Sequence, residues 1–347
     1  MLLMGIETSC DETAVAIVAD DRRILSNRIL SQLYEHRPYG GVVPEIAARS
    51  HLQHLPGIIR SGLENAGVKF SDLDGVAATA GPGLIGGVMI GLMAAKSIAL
   101  VHELPFIAIN HMEAHALTPR LTNNIAFPYL ALLVSGGHSL FVAVAGPNQH
   151  TIYGTTIDDA IGEAFDKTAA FLGLPYPGGP SIENIASEGD PLIYQLPRPM
   201  RGRPNCDFSF SGLKTAVRRL TEKPDTDLDA PATVANIAAS FQLAAADVVS
   251  DRTINAIRRF KADYPDGNTL VAAGGVASNL TLRDSLQETA AKAGLQFVAP
   301  PPALCTDNGA MVAWAGIEHL NVGLQDTFAF APRPRWPLDE LVVKGQG

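Results

Sequence analysis

The segment HMEAH at residues 111–115 contains the side chains with the clearest chemistry in this sequence. If the segment is helical, His111 and His115 lie one turn apart on the same face and can bind one metal ion together. Asp307, in the turn before the last helical pattern, supplies a candidate third ligand. Two imidazoles and one carboxylate leave coordination positions open, which suits iron, zinc or manganese and a substrate oxygen.

Two other interpretations of this segment compete with a metal site. A lone H-x-x-x-H pair in a helix is more often two ordinary histidines, and the added carboxylate of Asp307 is what favours a metal. The order also differs from the H-E-x-x-H of zinc proteases. Glu113, at i+2, points away from the face that bears His111 and His115. A metalloprotease is therefore disfavoured, because its general base would be misplaced.

Three turns that follow strands could hold a nucleotide. They are Ser9–Glu12, VSGGHS at 134–139 and AAGGVASN at 272–279. A Gly-Gly pair lets backbone N–H groups approach an anion, and the helix expected after Gly275 presents further free N–H groups. Each turn alone is commonplace, whereas three such turns, two of them at matching places in the two halves, indicate a nucleotide site. The sequence contains no P-loop pattern and no G-x-G-x-x-G after a strand.

The strands and helices that position these turns repeat in order along the chain. Each half reads as three short strands followed by alternating helix and strand, which predicts two βββαβαβ lobes related by duplication. This order is typical of the actin/Hsp70/hexokinase-like (ASKHA) α/β fold, with ligands in a central cleft. The predicted N-terminal lobe spans 1–125, with a C-terminal helix at about 308–325 packing back on it. The predicted C-terminal lobe spans 126–307 and includes a helical insertion.

The composition supports a folded chain of two lobes. The 347 residues are 47% hydrophobic and 18% charged, and the three cysteines are far apart, which argues against disulfides and thiolate zinc sites. The apolar stretch Leu84–Leu100 contains glycines and Lys96, so we predict a buried helix and not a membrane span. The N-terminus lacks the pattern of a signal peptide, and we expect a cytoplasmic protein.

The net charge of −9 means that the chain as a whole does not attract RNA. A local candidate for RNA contact lies between residues 198 and 219, where Phe208 and Phe210 are interleaved with basic residues. Those basic residues are Arg198, Arg201, Arg203, Lys214, Arg218 and Arg219. The alternative for such a run is a solvated helix face and loop.

The sequence resembles the TsaD (YgjD/Gcp) family in its bacterial form. The resemblance rests on motifs between residues 6 and 311: IETSCDET, GPGLIGG, NHMEAH, LVSGGHS, DDAIGEAFDK, YPGGPSIE, FSFSGLK, AAGGVASN and CTDNGAM. It implies a transferase that moves the threonylcarbamoyl group of threonylcarbamoyl-AMP to N6 of adenosine 37 in tRNAs reading codons that begin with A, the t6A modification. It also implies a paralogous partner of the TsaB type and a small ATPase of the TsaE type.

The same resemblance implies roles for individual residues. One divalent ion, usually iron, would be held by His111, His115 and Asp307. The implied substrate contacts are Val134, Ser135, Gly136, Gly137, His138, Asp166, Gly179, Glu183 and Asn279. Position 183 is Glu where many relatives carry Asp, which keeps the carboxylate but moves it about one methylene further from the backbone.

The first turn offers a candidate proton acceptor for such a transfer. Asp11 or Glu12 could take the proton that the attacking amine loses, and we assign this catalytic role to Asp11. Turn formation alone is the simpler role for an aspartate there. Rival functions are a small-molecule kinase of the same fold and a nucleotide-dependent scaffold without turnover. Kinases of this fold bind magnesium through carboxylates and waters, so a two-histidine site disfavours the kinase alternative.

Overall fold

A computed structural model describes residues 1–39 and 41–341 of the chain. The chain divides into two compact units. Among the described residues, the first contains 1–39, 41–125, Gly146–His150 and 306–341, and the second contains Ala126–Ala145 and Thr151–Cys305. Asp307 therefore belongs to the first unit and not to the second lobe, at whose end the sequence analysis placed it.

Strands and helices alternate in the predicted order in both halves. The strands are β1 (Leu2–Glu7), β2 (Glu12–Ala19), β3 (Ile24–Ser31), β4 (Gly75–Gly81), β5 (Phe106–Asn110), β6 (Tyr129–Val134), β7 (Ser139–Gly146), β8 (Gln149–Thr155), β9 (Thr269–Ala273) and β10 (Gln296–Val298). The helices are α1 (Leu33–His36), α2 (Pro44–Ala66), α3 (Ile85–Val101), α4 (His111–Thr122), α5 (Ile161–Phe171), α6 (Gly178–Ala186), α7 (Ser211–Thr221), α8 (Pro231–Asp263), α9 (Leu280–Lys292) and α10 (Gly309–Asn321).

The first unit is built on a mixed five-stranded sheet in the order β3-β2-β1-β4-β5. β1 pairs antiparallel with β2 and parallel with β4, and β4 pairs parallel with β5. β1, β2, β4 and β5 are almost entirely buried, which explains their runs of Ala, Val and Ile without alternating polar residues. The parallel strands β1, β4 and β5 end at one edge of the sheet, where polar side chains can collect.

Helix α10 returns to this sheet and packs on β1, β2 and β4. Glycines allow the contact at backbone distance: a Cβ on Gly5 would lie 2.3 Å from Ala313 N, and a Cβ on Gly309 would lie 2.4 Å from Ala16 N. Any side chain at either position would force the helix away from the sheet. The turn before α10 is thereby held against the first sheet.

The second unit contains a five-stranded sheet in the order β10-β9-β6-β7-β8. β6 pairs antiparallel with β7 and parallel with β9. The long helix α8 supplies much of the core beside this sheet, including Phe241 and Phe260. Helix α8 is long and apolar enough to cross a membrane. However, 72% of its apolar 18-residue stretch is buried inside the protein, as in the core helix of a globular domain.

One helix boundary differs from the sequence prediction. The helix expected directly after Gly275 starts only at Leu280, because Gly275–Ser278 forms a 3-10 turn. The Gly-Gly pair of this segment therefore does not lie at the N-terminus of an α-helix.

Candidate metal centre and substrate loops

The helix that bears the two histidines begins where strand β5 ends. Asn110 is its N-cap: Oδ1 accepts hydrogen bonds from the backbone N–H groups of Met112 at 2.9 Å and Glu113 at 3.3 Å. Asn110 Nδ2 donates to the carbonyl oxygen of Trp336 at 2.8 Å, which ties the cap to the C-terminal segment. His111 is thus the first helical residue, and His115 follows one turn later on the same face.

His111, His115 and Asp307 come together within the first unit. His115 Nε2 lies 3.0 Å from Asp307 Oδ1, and His111 Nε2 lies 3.5 Å from the same oxygen. One possible ligand atom from each residue lies within 4.8 Å of the other two. Both histidines are buried, and the Asp307 side chain is 21% exposed. This donor set fits a divalent cation with positions left for substrate.

Negative charge accumulates around the two imidazoles. Burial raises the pKa of Glu12 to about 9, and repulsion from Asp307 and Asp11 adds to the effect. Burial opposes a charged His111, but Asp307 and Glu7 outweigh it and raise the pKa of His111 to about 9 when no metal is bound. A divalent cation would relieve this crowding of carboxylates, so the charge of the site agrees with its donor set.

Glu113 lies between the metal-centre histidines in sequence but points away from them. Its carboxylate is fully buried; Oε2 lies 3.0 Å from His319 Nε2, and Oε1 accepts a hydrogen bond from Asn148 N at 2.7 Å. Burial disfavours the charged form, but the imidazoles of His319 and His150 outweigh it and bring the pKa of Glu113 to about 2. A carboxylate held in this way is not a general base for a metal-bound water.

Glycines of the GPGLIGG segment bring α3 close to the first turn. A Cβ on Gly83 would lie 2.6 Å from Ser9 O, and a Cβ on Gly87 would lie 2.3 Å from Thr8 O. Leu84 N donates to Ser9 O at 2.8 Å. Ser9 Oγ in turn lies 3.2 Å from His111 Nδ1, so the turn that carries Asp11 is adjacent to the metal centre.

The loop Val134–His138 joins β6 to β7 in the second unit. Ser135 N donates to His138 O at 2.8 Å, and His138 N donates to Ser135 Oγ at 3.1 Å. Val134 is buried, so only its backbone can contact a substrate. Gly136 and Gly137 are exposed, have no left-handed φ and would place a Cβ in open space. The fold does not require glycine at these two positions, which leaves close approach of a ligand as a reason.

Asp166, on α5, contacts the start of α6, where Gly179 lies. Asp166 Oδ1 accepts a hydrogen bond from Gly178 N at 2.7 Å, and a Cβ on Gly178 would lie 2.5 Å from Asp166 Cα. Burial raises the pKa of Asp166 against the opposing effect of bonds from the Gly178 and Gly179 amides. Gly179, like the loop glycines, would place a Cβ in open space.

Glu183 and Asn279 meet at the first turn of α9. Glu183 Oε1 accepts from Leu280 N at 2.6 Å, and Asn279 Oδ1 accepts from Leu282 N at 3.0 Å. Asn279 Nδ2 donates to Gln242 Oε1 at 2.9 Å. A cavity of about 330 Å³ is lined by Glu183, Gln242 and Leu280, among others. Gln242 was not among the site residues predicted from the sequence. The available signal was a polar residue within the apolar pattern of α8.

The candidate RNA patch is smaller than the sequence predicted. Phe208 and Phe210 are fully buried and stack in the core, so they cannot support RNA bases. Arg198 pairs with Asp247 at 2.9 Å, and Lys214 pairs with Asp159. The exposed basic residues that remain are Arg201, Arg203, Arg218 and Arg219.

Comparisons with known proteins agree with the sequence resemblance and with the fold. A family model described as "TsaD: tRNA N6-adenosine threonylcarbamoyltransferase" matches residues 23–314. The tRNA N6-adenosine threonylcarbamoyltransferase of Paramagnetospirillum magneticum is 58% identical over 345 residues, covering 99% of each chain.

Two solved structures share the fold at low sequence identity. Full-length HypF in its phosphate- and nucleotide-bound form has a TM-score of 0.58 at 13% identity, covering 92% of this chain and 46% of that chain. The ROK hexokinase from Thermus thermophilus has a TM-score of 0.50 at 17% identity, covering 93% and 100%. These likenesses confirm the predicted actin/Hsp70/hexokinase-like fold, and the sequence matches identify the chain as a member of the TsaD family of tRNA N6-adenosine threonylcarbamoyltransferases.

Proposed function

We propose that this transferase takes the threonylcarbamoyl group from threonylcarbamoyl-AMP and attaches it to N6 of adenosine 37 in tRNAs that read codons beginning with A. The family supplies the transferred group and the acceptor nitrogen. The observation that carries the proposal is the His111–His115–Asp307 cluster. A mixed carbamoyl–phosphoryl anhydride develops negative charge as it reacts, and a cation site suits that chemistry better than it suits an uncharged donor.

One divalent ion would be held by His111, His115 and Asp307, with iron as the expected metal and zinc or manganese as alternatives. When bound, the ion supplies charge neutralisation at the oxygens of the donor. The protein contributes two buried imidazoles and a carboxylate that is only partly exposed. Their burial limits competing water and strengthens the electrostatic effect.

The adenylate would be bound by residues of the second unit. The backbone N–H groups of Gly136 and Gly137, with the Ser135 hydroxyl, would donate to the phosphate. Asp166, Gly179, Glu183 and Asn279 would contact the ribose and adenine. Because Glu183 Oε1 is engaged by Leu280 N, we expect the other oxygen of that carboxylate to accept from the ribose.

The transfer would form a bond between adenosine N6 and the carbamoyl carbon and break the bond from that carbon to the phosphate oxygen. The departing AMP keeps the electron pair, and N6 loses one proton. We propose Asp11 as the acceptor of that proton, because its turn lies beside His111 through the contact of Ser9 Oγ.

A partner surface is proposed on α3. This helix was predicted to be buried, but it exposes Ile85, Met89 and Met93 about one turn apart, and Leu100 two turns after Met93. An exposed apolar stripe of this kind is typical of a helix-packing interface, and methionines adapt readily to a partner. We propose that a paralogous partner of the TsaB type binds there, with a small TsaE-type ATPase joining the assembly.

The function is tested by reconstitution with partner proteins, iron, threonylcarbamoyl-AMP and tRNA, followed by mass spectrometry of the nucleosides. A matched tRNA with guanosine at position 37 lacks the N6 amine. We expect a threonylcarbamoyl mass increment on adenosine in the first tRNA only. Modification of both tRNAs would refute adenosine 37 as the acceptor. Phosphorylation of a small molecule by ATP without tRNA would favour the kinase alternative.

A further inference from the structure

A buried carboxylate contacts the metal centre without belonging to its ligand set. Glu7, the last residue of β1, is 0% exposed. Its Oε2 lies 3.2 Å from His111 Nδ1 and accepts a hydrogen bond from Thr79 Oγ1, while its Oε1 accepts from Ser9 N at 2.5 Å. We infer that Glu7 is a positioning residue that sets the orientation and tautomer of His111 and balances the charge of the bound cation. The inference rests on the proposed metal site.

The hydrogen bonds at Glu7 determine which nitrogen of His111 carries a proton. An ionised carboxylate only accepts hydrogen bonds. The contact between Glu7 Oε2 and His111 Nδ1 therefore requires a proton on Nδ1. The lone pair of the neutral ring is then on Nε2, the atom that lies 3.5 Å from Asp307 Oδ1. Glu7 thus selects the tautomer in which His111 can bind a metal through Nε2.

The sheet sets the position of this hydrogen-bonded chain. Glu7 ends β1, Thr79 lies on the neighbouring strand β4, and His111 follows β5, the next strand along. Thr79 is buried, and its hydroxyl holds Glu7 from β4. Three adjacent parallel strands therefore orient one imidazole through two hydrogen bonds, which is a more rigid arrangement than a histidine on a loop provides.

Charge gives a second, independent argument. A fully buried carboxylate without a balancing positive charge is costly. When His111 binds a metal as a neutral ligand, the positive charge nearest to Glu7 is the cation on the far side of the ring. Glu7 and Asp307 together then balance a dication. The alternative is that Glu7 only braces the turn through Ser9 N, in which case its loss would affect folding but not metal affinity.

Zinc affinity, measured by competition with a chromophoric chelator, separates these roles. Glu7→Gln keeps the shape and removes the charge, and Thr79→Val removes the hydroxyl that holds Glu7. Glu113→Gln is the matched control, because Glu113 is equally buried against a histidine but faces away from the metal centre. We expect Glu7→Gln to weaken zinc binding by roughly 10–100-fold and Thr79→Val by about threefold or more, with Glu113→Gln unchanged.

The outcomes distinguish the inference from the proposed site. If the wild-type chain binds zinc and the Glu7 and Thr79 variants match the Glu113 control, the inference is wrong and the site stands. If the wild-type chain binds no zinc, the site itself fails. If Glu7→Gln does not fold, long-range ¹⁵N NMR of the zinc-loaded wild-type protein decides, with His111 signals assigned through a His111→Gln variant. A proton on Nδ1 supports the inference, and metal binding through Nδ1 overturns it.

Discussion

His115 Nε2 lies 3.0 Å from Asp307 Oδ1, although 192 residues separate the two in sequence. The contact exists because α10 packs on the first sheet. Gly5 and Gly309 have no side chains, so the backbones of the helix and the sheet can touch there. The turn that carries Asp307 is held by this packing and by Asn308, whose Oδ1 accepts from Met311 N at 3.0 Å. All three proposed ligands are therefore supplied by one unit, and the geometry of the metal centre depends on the packing of that unit alone.

The glycines of α3 provide a prediction about stability. Gly87→Ala would place a Cβ 2.3 Å from Thr8 O, a backbone atom that cannot move aside, and should lower the free energy of unfolding by about 2 kcal/mol. Gly57→Ala is the control, because a Cβ there meets nothing within 4 Å inside α2 and should stabilise the protein by about 0.5–1 kcal/mol. Urea unfolding of both variants measures the difference, and equal effects would contradict the packing argument.

The pair of Glu113 and His319 should stabilise the fold without taking part in transfer. Glu113→Ala leaves the buried His319 imidazole and Asn148 N without their shared acceptor. The free energy of unfolding should fall by about 3 kcal/mol. Glu288→Ala, which removes an exposed carboxylate paired with Lys292, should leave it essentially unchanged. Denaturant titrations of both variants test this, and a stable Glu113 variant would show that the pair contributes little.

Asp11→Ala tests the proposed proton acceptor. Transfer should fall strongly, by roughly 100-fold or more, since general base catalysis typically contributes that much. Binding of the adenylate donor should be nearly unchanged, because the proposed nucleotide contacts lie in the second unit. Single-turnover rates and calorimetric donor affinity separate the two effects. An unchanged rate would remove Asp11 from the mechanism.

Gly137→Ala tests the proposed phosphate loop. A Cβ at this position meets no protein atom within 4 Å, so stability should not change. If the backbone holds the phosphate closely, the new methyl group should weaken donor binding by about tenfold. Gly212→Ala on α7 is the control, because its Cβ would make only an ordinary contact, 3.7 Å from Pro199 Cγ. If the two variants bind the donor with equal affinity, the loop does not hold the phosphate closely.

Local patterns predicted the elements of the fold well. The one-turn spacing of the two histidines was readable from the sequence, and helix α4 confirms it. The order of strands and helices was also readable, because apolar periodicity depends on neighbouring residues only. The fold class followed from that order, and the structural likenesses confirm it.

Tertiary packing decided the features that the sequence did not reveal. The return of the C-terminal helix to the first lobe was predicted, but no local signal shows that Asp307, in the turn just before α10, belongs to that unit as well. Phe208 and Phe210 stand among arginines in the sequence, yet both side chains turn into the core. Glu7 offered one overlooked signal, since a charged residue that ends an apolar strand requires buried partners to stabilise it.

The central claim is that His111, His115 and Asp307 hold one divalent cation on which transfer depends. The most direct measurement is the metal content of the iron-loaded protein after dialysis, determined by mass spectrometry for the wild-type chain and for Asp307→Ala. We predict one ion for each wild-type chain and little metal in the variant, because loss of one of three ligands should weaken binding by about 100-fold or more while the fold is retained. A wild-type chain without metal, or a variant that retains a full complement, would contradict the account.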